Sequence, residues 1–205
     1  MTEDKVPNAY VAAMADVFRW LEAEGVGGAV IGGVAASLLG RARYTEDVDV
    51  FIILEEAKWG RLLESAARHG LAPRVRDPLG FARGSHVFLL RHLPSGLKVD
   101  IQLGVTPLAR EIMARRRMLP VGGLVVPVAT PEDLIILKAL AWRDRDIADV
   151  SGLMDACPAL DMKRVKKWLG IVAKSLDESD MLEELNKLLA RREASRLRRR
   201  RNKRT

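Results

Sequence analysis

Few of the residues that mark a secreted, zinc-bound or membrane-spanning protein occur in this chain. It has one cysteine, Cys157, so an internal disulfide and a multi-cysteine zinc site are excluded. Three histidines, His69, His86 and His92, are too few for a histidine-rich metal site. No apolar run reaches the length of a membrane span, and residues 1–5 lack the basic-then-apolar order of a signal peptide. We therefore expect a cytoplasmic protein with no membrane partner.

Net positive charge is missing from most of the chain. Residues 191–205 carry nine Arg and Lys against one Glu, a net charge of +8, whereas the whole chain carries +7. Subtracting one from the other leaves −1 for residues 1–190. Basic arms of this kind bind phosphate backbones through counterion release and are usually disordered when free. We expect this arm to bind RNA or DNA; a solubilising terminus and a contact with membrane lipid are the alternatives.

Acidic residues interrupt two apolar, strand-like runs at a spacing that suits a cation site. Alternate side chains of a strand share a face, so Asp47 and Asp49 point one way while Val48 and Val50 pack into the other. A third carboxylate, Asp100, lies in a later run of the same kind. Three carboxylates suit Mg²⁺ and let two ions lie roughly 4 Å apart around a transferring phosphate. The alternatives are protective edge-strand charges for the pair and a plain polar hairpin position for Asp100.

Two consecutive glycines, Gly32 and Gly33, stand where a short strand meets a predicted helix. Without Cβ atoms they let backbone N–H groups approach a triphosphate, and the helix dipole favours its negative charge. An ordinary tight turn is the alternative. A dinucleotide-binding fingerprint fails because Val30 stands where its third glycine is needed. No Gly-Lys-Ser/Thr follows any glycine at the spacing of a P-loop.

Three further residues are candidates for holding phosphates. Arg43 and Thr45 precede the acidic pair, where a guanidinium and a hydroxyl can meet a nucleotide; a salt bridge within the loop is the alternative. Lys138 lies in an apolar run, which fits a point charge aimed at pyrophosphate better than a solvated helix face.

Two later acidic residues, Asp146 and Asp149, are three positions apart. On spacing alone they are predicted to be part of a lattice of charges on a helix surface.

The hydrophobic patterns predict an α+β fold with a mixed sheet and a C-terminal helical part. Predicted strands cover 28–31, 47–54, 86–93, 97–103 and 124–128, the third and fourth forming a hairpin around Pro94-Ser95-Gly96. Predicted helices cover 7–24, 32–40, 55–69 and 106–116, and everything after the N-cap Thr130, with breaks near 143, 158 and 177. We expect a catalytic core over 1–129, a helical subdomain over 130–190 and the basic tail over 191–205.

The motifs taken together resemble the signature of the DNA polymerase β-like nucleotidyltransferase superfamily. The resemblance rests on Ile31-Gly32-Gly33, on the spacing to Asp47-Val48-Asp49-Val50 and on Val99-Asp100-Ile101. Arg43-Tyr44-Thr45-Glu46, the segment from Thr130 to Lys138 and the segment from Arg143 to Asp149 are similar to its AbiEii-type branch, which includes toxins of toxin–antitoxin systems. The resemblance covers roughly residues 26–150.

This resemblance implies an Mg²⁺-dependent enzyme that moves a nucleoside monophosphate from an NTP to an acceptor hydroxyl and releases pyrophosphate. It adds Asp146 and Asp149 to the site, and Asp100 becomes a candidate general base as well as a metal ligand. With the basic tail it points to RNA, such as a tRNA end, as acceptor, and to a cognate antitoxin as a partner. An antibiotic or protein hydroxyl stays open, as does a non-catalytic module that binds nucleic acid or docks a partner. Trp142, beside Lys138 by helical spacing, is either a base-stacking residue or part of the core.

Overall fold

The computed structural model describes residues 6–176 and 182–191, and within them seven strands form one mixed sheet. The strands are β1 Gly28–Ile31, β2 Asp47–Ile52, β3 Leu71–Pro73, β4 Val87–His92, β5 Lys98–Leu103, β6 Arg117–Val121 and β7 Leu124–Val128. Their order across the sheet is β3-β4-β5-β2-β1-β7-β6. The predicted basic tail beyond residue 191 and the predicted helix break near 177 lie outside the described residues.

Helices lie at both ends of the described part of the chain and in most connections between strands. They are α1 Asn8–Ala23, α2 Gly32–Leu39, α3 Trp59–Ala66, α4 Pro78–Ser85, α5 Pro107–Arg115, α6 Pro131–Ala141, α7 Asp144–Ala156, α8 Met162–Leu176 and α9 182–191. Single 3₁₀ turns, Glu56–Lys58 and Ala67–His69, flank α3. No helix in the described ranges is both long and apolar enough to cross a membrane.

The centre of the sheet is the strand that carries the acidic pair. β2 runs parallel to β5 and antiparallel to β1, while β4 pairs antiparallel with both β3 and β5. The remaining pairs are parallel β1–β7 and antiparallel β6–β7. The sheet is therefore mixed, and the predicted α+β fold is confirmed.

Strand alternation separates the buried face of the sheet from the face that carries polar groups. In β2 the valines at 48 and 50 are fully buried, while the flanking Asp47 and Asp49 are only partly buried. In β5 the same alternation leaves Asp100 partly exposed between fully buried Val99 and Ile101. All three carboxylates thus emerge on one face because the apolar residues between them are taken up by the core.

Helix packing fixes the sheet from the apolar side. Trp20 of α1 is fully buried, and its indole N–H reaches the carbonyl of Leu62 at 3.1 Å and the hydroxyl of Ser65 at 2.9 Å on α3. Trp59 of α3 meets Phe88 of β4 edge to face with ring centroids 5.6 Å apart. Burial of these large rings ties α1, α3 and β4 into one core.

Helix α6 begins as its sequence predicts and then lies buried among other helices. The Thr130 hydroxyl accepts from the backbone N–H of Asp133, Pro131 occupies the first position, and two acidic residues follow in the first turn. α6 packs against α2, α7 and α8. The proposed boundary between a core and a helical part at Thr130 stays a prediction.

Three short elements escape the sequence patterns. β3 has three residues, and α4 holds two glycines, so neither shows a clear hydrophobic period. The N-cap of α4 was nevertheless readable, because Asp77 accepts from the Gly80 N–H at 2.8 Å and Pro78 follows it. β6 contains Pro120, which suits its position at the edge of the sheet.

Candidate active site

A cleft of about 720 Å³ opens where the polar face of the sheet meets α2, α6 and α7. It collects residues from five separate stretches of sequence, which only the folded chain brings together. Its walls are formed by Ile31, Gly32, Gly33, Arg43, Tyr44, Thr45, Glu46, Asp47, Asp49, Asp100, Gln102, Leu134, Leu137, Lys138, Leu140, Ala141, Arg143, Arg145 and Asp146. All eight residues predicted to bind metal or nucleotide from sequence line this one cleft.

The three sheet carboxylates form a compact cluster, which we call the triad. Asp49 pairs in register with Asp100 on β5, and Asp47 precedes it by two residues on the same strand face. One carboxylate oxygen from each residue lies within 4.8 Å of the others. In the described part of the chain no other group of three acidic, histidine or cysteine side chains comes as close.

Electrostatic repulsion in the triad is only partly relieved by the protein. Burial, together with the neighbouring charges of Asp47 and Asp100, raises the pKa of Asp49 to about 6. Burial also raises the pKa of Asp100, although the Arg74 guanidinium acts in the opposite direction. Carboxylates that resist ionisation in this way are those for which a bound cation would be most favourable.

The two glycines are required by close contacts as well as by the chain turn. Gly32 has a φ of +65°, and a Cβ at this position would lie 1.8 Å from the Asp49 Oδ2 atom. A Cβ on Gly33 would lie 2.5 Å from the Thr45 hydroxyl oxygen. The Gly33 backbone N–H also hydrogen-bonds to Asp49, which lowers the pKa of that carboxyl against the larger effect of burial. Any side chain here would displace the triad or the loop beside it.

The loop before β2 is held from both sides. Arg43 donates from Nε and Nη2 to the two oxygens of Asp149 at 2.6 and 2.7 Å, a bidentate pair. Thr45 donates its hydroxyl hydrogen to Asp47 at 2.9 Å, and its backbone carbonyl accepts from the Tyr10 hydroxyl. The salt bridge of the predicted loop cation is therefore made to α7 rather than to an acidic residue of its own loop.

Lys138 extends from α6 into the cleft and forms ion pairs with two aspartates of α7. Its Nζ atom lies 2.6 Å from Asp149 and 3.2 Å from Asp146, and the side chain is nearly fully buried. Asp146 also accepts from Arg143 at 2.7 Å. We call Asp146, Asp149 and their cations Arg43, Lys138 and Arg143 the cationic wall.

The carboxylates of the cationic wall behave oppositely to those of the triad. Burial alone would raise the pKa of Asp149, but hydrogen bonds and charge from Arg43 and Lys138 outweigh it, and the pKa is lowered. The same balance, with Arg143 and Lys138 as partners, lowers the pKa of Asp146. Asp146 and Asp149 are thus brought to the site as holders of cations, separate from the metal-ligand cluster.

One residue that contacts the triad carries no sequence signal. Arg74 follows β3, donates from Nε to the carbonyl of Leu90 at 2.8 Å and forms an ion pair with Asp100. Only the pairing of β3 with β4, and of β4 with β5, brings it beside the triad. A three-residue strand gives too little pattern to predict that placement.

The aromatic residue that lines the cleft is Tyr44, not Trp142, which the helical spacing places beside Lys138. Trp142 caps α6 with a left-handed backbone (φ 42°) and packs, partly buried, against the core. It does not line the cleft. Tyr44, in the loop before β2, does line it and is 81% exposed.

Comparison with known proteins places the chain in a family. The family described as "Nucleotidyl transferase of unknown function (DUF2204)" matches residues 10–192. The chain belongs to this family. No curated protein gives a sequence match. The predicted nucleotidyltransferase superfamily is confirmed, while the AbiEii-type branch stays a prediction.

Solved structures agree at the level of the fold. An antigenic nucleotidyltransferase-like protein from Paracoccidioides brasiliensis is 20% identical with a TM-score of 0.51, over 84% of this chain and 91% of that one. The structure of ANT(2")-Ia in complex with adenylyl-2"-tobramycin is 15% identical with a TM-score of 0.55, over 81% of this chain and 97% of that one. At these identities the likeness establishes a nucleotidyltransferase fold.

Proposed function

We propose that the protein is an Mg²⁺-dependent nucleotidyltransferase that moves a nucleoside monophosphate from an NTP to an acceptor hydroxyl. The observation that carries the proposal is the pairing, in one cleft, of a carboxylate triad with excess negative charge and a wall of cations. A nucleoside triphosphate with its metal has the complementary arrangement, because its cation faces carboxylates and its phosphates face Arg and Lys.

The triad fits a hard divalent cation. Its donors are all carboxylate oxygens, as Mg²⁺ prefers. Burial, together with repulsion from Asp47 and Asp100, raises the pKa of Asp49, and a bound cation would favour its ionised form. Asp47, Asp49 and Asp100 would hold a two-ion site. Such ions, when bound, neutralise the charge on the attacking and leaving oxygens of a phosphoryl transfer.

The chain's own groups then divide the remaining work. Gly32 and Gly33, which have no Cβ atoms, would let the phosphates approach the start of α2, and Arg43 and Lys138 would supply fixed positive charge. The acceptor oxygen bonds to the α-phosphorus while the bond from that phosphorus to the bridging oxygen breaks, releasing pyrophosphate. We assign to Asp100 the role of the base that accepts the acceptor's hydroxyl proton.

RNA is the acceptor class we propose, with toxin activity in a toxin–antitoxin pair as its consequence. Support comes from the AbiEii-like segments around Arg43, Lys138 and Asp149 and from the nine cations of residues 191–205. A cognate antitoxin is the matching partner. A small-molecule hydroxyl is the second class to test, since ANT(2")-Ia, which shares the fold, is known with an adenylylated aminoglycoside.

A labelling experiment tests the proposal directly. The protein is incubated with each of the four α-labelled NTPs and Mg²⁺, in parallel with total RNA, an aminoglycoside mixture and no acceptor. We expect label to enter RNA with one NTP preferred, and no transfer with EDTA or with Asp49→Ala. Transfer of label to the aminoglycosides and not to RNA would show that the acceptor is a small-molecule hydroxyl instead of RNA. Absence of transfer in every arm, with the protein shown to be folded, would contradict the enzyme assignment.

Truncation separates the tail from the chemistry. A chain ending at residue 190 lacks nine cations, so its RNA affinity at low salt should fall. The slope of log affinity against log salt should flatten by several units at most, since each contact to a single strand adds only about 0.7. Transfer to saturating acceptor should persist because the triad is unchanged. An unaltered affinity and slope would remove the tail from the RNA-binding proposal.

A further inference from the structure

Tyr44 is the most exposed large apolar side chain in the described ranges, at 81%. Single exposed aromatics are common on protein surfaces and by themselves need no explanation. This one lines the cleft that holds the triad and the cationic wall. It also lies between Arg43 and Thr45, two residues already tied to the site's charged groups.

The backbone on both sides of Tyr44 is held by hydrogen bonds, while its side chain is largely exposed. Arg43 donates from Nη1 to the Tyr44 carbonyl at 2.9 Å, and the same guanidinium is held by Asp149. On the other side the Tyr10 hydroxyl bonds to the Thr45 carbonyl. A ring on a fixed backbone loses only two side-chain torsions when it is covered, so it makes a rigid contact surface at small entropic cost.

Positive charges near Tyr44 at the mouth of the cleft indicate what kind of molecule can bind against its ring. Arg143, the N-cap of α7, and Arg145 in its first turn line the cleft with Tyr44, and both are exposed. Exposed cations combined with an exposed aromatic face bind phosphate-bearing molecules with planar bases, because the base stacks while the cations meet the phosphates. An apolar or acidic partner would leave one of these two features unmatched.

We propose that Tyr44 is a stacking platform for a nucleobase at the mouth of the cleft. The inference rests on the proposed nucleotidyl transfer, and it adds a specificity-determining residue to it. The base has two sources, the incoming NTP and a terminal nucleotide of the acceptor RNA. Both offer the same planar face, so binding measurements must separate them.

Binding without turnover tests the first source. Wild type, Tyr44→Ala, Tyr44→Leu and Tyr44→Phe are titrated with each NTP and with inorganic triphosphate, in Mg²⁺ and without acceptor. The matched control is Phe81→Ala, which removes an exposed aromatic that does not line the cleft. If the NTP supplies the base, Tyr44→Ala weakens NTP binding roughly 5- to 100-fold and leaves triphosphate binding unchanged. Tyr44→Phe keeps the affinity, and Tyr44→Leu loses most of it.

A second titration tests the acceptor as source. The same variants are titrated with a short RNA oligonucleotide and with its counterpart lacking the terminal base. If the acceptor supplies the base, Tyr44→Ala weakens binding of the intact oligonucleotide by a similar factor and leaves the shortened one unchanged. Base-dependent loss in either titration supports the platform.

Other outcomes overturn the proposal. Wild-type affinity of Tyr44→Ala for all ligands would do so, as would equal losses for ligands with and without a base, which would indicate a phosphate or folding role. Failure of wild type to bind any NTP or oligonucleotide would overturn it too. Base-dependent binding in a protein that transfers no label would instead count against the enzymatic function alone, so the two failures are distinguishable.

Discussion

Two sets of aspartates belong to the candidate site and differ in what surrounds them: the triad and Asp146 line the cleft, and Asp149 holds Arg43 and Lys138, which line it. The triad is crowded with like charge, and its one paired member, Asp100, meets a single guanidinium, that of Arg74. The aspartates of the cationic wall are each bonded to two cations. Burial opposes ionisation in both sets, yet the Asp49 pKa is raised to about 6 while the Asp149 pKa is lowered.

The difference assigns different physical tasks to the same residue type. A buried carboxylate with two cationic partners stabilises the fold and positions those partners, and it has little remaining capacity for a metal. A buried carboxylate among others destabilises the fold unless a cation joins it. Sequence spacing predicts a cation site for the triad but only a surface charge lattice for Asp146 and Asp149, and the fold shows that this second pair is buried with cationic partners.

The strongest test of the comparison removes a triad member. Asp49→Ala should lower transfer by roughly a thousandfold or more, because a bound metal supplies several kcal/mol of transition-state stabilisation. Its thermal stability without metal should be unchanged or higher, since repulsion with Asp47 and Asp100 is relieved. Activity and thermal melting are measured on the same preparation. Full activity in this variant would remove the metal assignment.

The corresponding change in the cationic wall should act on stability. Asp149→Asn leaves Arg43 and Lys138 without their shared counter-charge, and breaking a buried pair costs about 3–5 kcal/mol. The control is Glu56→Gln, whose ion pair with Arg83 is exposed and contributes at most about 1 kcal/mol. Urea unfolding at pH 7 compares the two. Equal, small losses would show that the cationic wall is not a stabilising network.

A third test asks whether the cationic wall also serves the substrate. Lys138→Ala should reduce kcat/KM for the NTP by a factor equivalent to roughly 1–3 kcal/mol, with partial rescue by Lys138→Arg because the charge stays but its position changes. Lys58→Ala, an exposed lysine away from the cleft, is the control. Kinetics of Lys138→Ala that match wild type would restrict this lysine to its ion pairs with Asp146 and Asp149.

The sequence predicted the sheet face of the site better than its helical side. Period-two alternation around Asp47, Asp49 and Asp100 was enough, because a strand with buried valines on one face must present its carboxylates on the other. The glycine pair was readable for a similar reason, since few other needs place two glycines at a strand-to-helix junction.

Long-range ion pairs could not be predicted in the same way. Arg43 and Asp149 are 106 residues apart, and no local pattern specifies that they bond. The placement of Arg74 depends on the register of a three-residue strand, and that of Trp142 on the left-handed C-cap of α6, which interrupts the helical spacing from Lys138. The β6–β7 hairpin did carry a signal, Gly122-Gly123 with both φ values positive, between two short apolar runs.

The smallest expected effect is the stabilisation by metal, and it depends on pH through Asp49. Asp49 has its pKa raised from 3.8 to about 6, so the protonated carboxyl favours the folded state; that contribution is complete below about pH 4 and is lost as pH rises through 6. Without metal, stability should therefore fall across this window by up to about 3 kcal/mol.

Magnesium should oppose that loss only where Asp49 is ionised. At ten times its Kd, Mg²⁺ adds about 1.4 kcal/mol, a rise in Tm of about 3–6 °C for a chain of this size. We expect this rise at pH 8 and little of it at pH 5, where protons compete for the carboxylates. Asp49→Asn should lose both the metal shift and the pH dependence between 4 and 6, whereas Glu56→Gln should keep both. If the Mg²⁺-induced rise in Tm is equal at pH 5 and pH 8, or is preserved in Asp49→Asn, the cation binds outside the triad. The raised pKa of Asp49 would then be unrelated to metal binding.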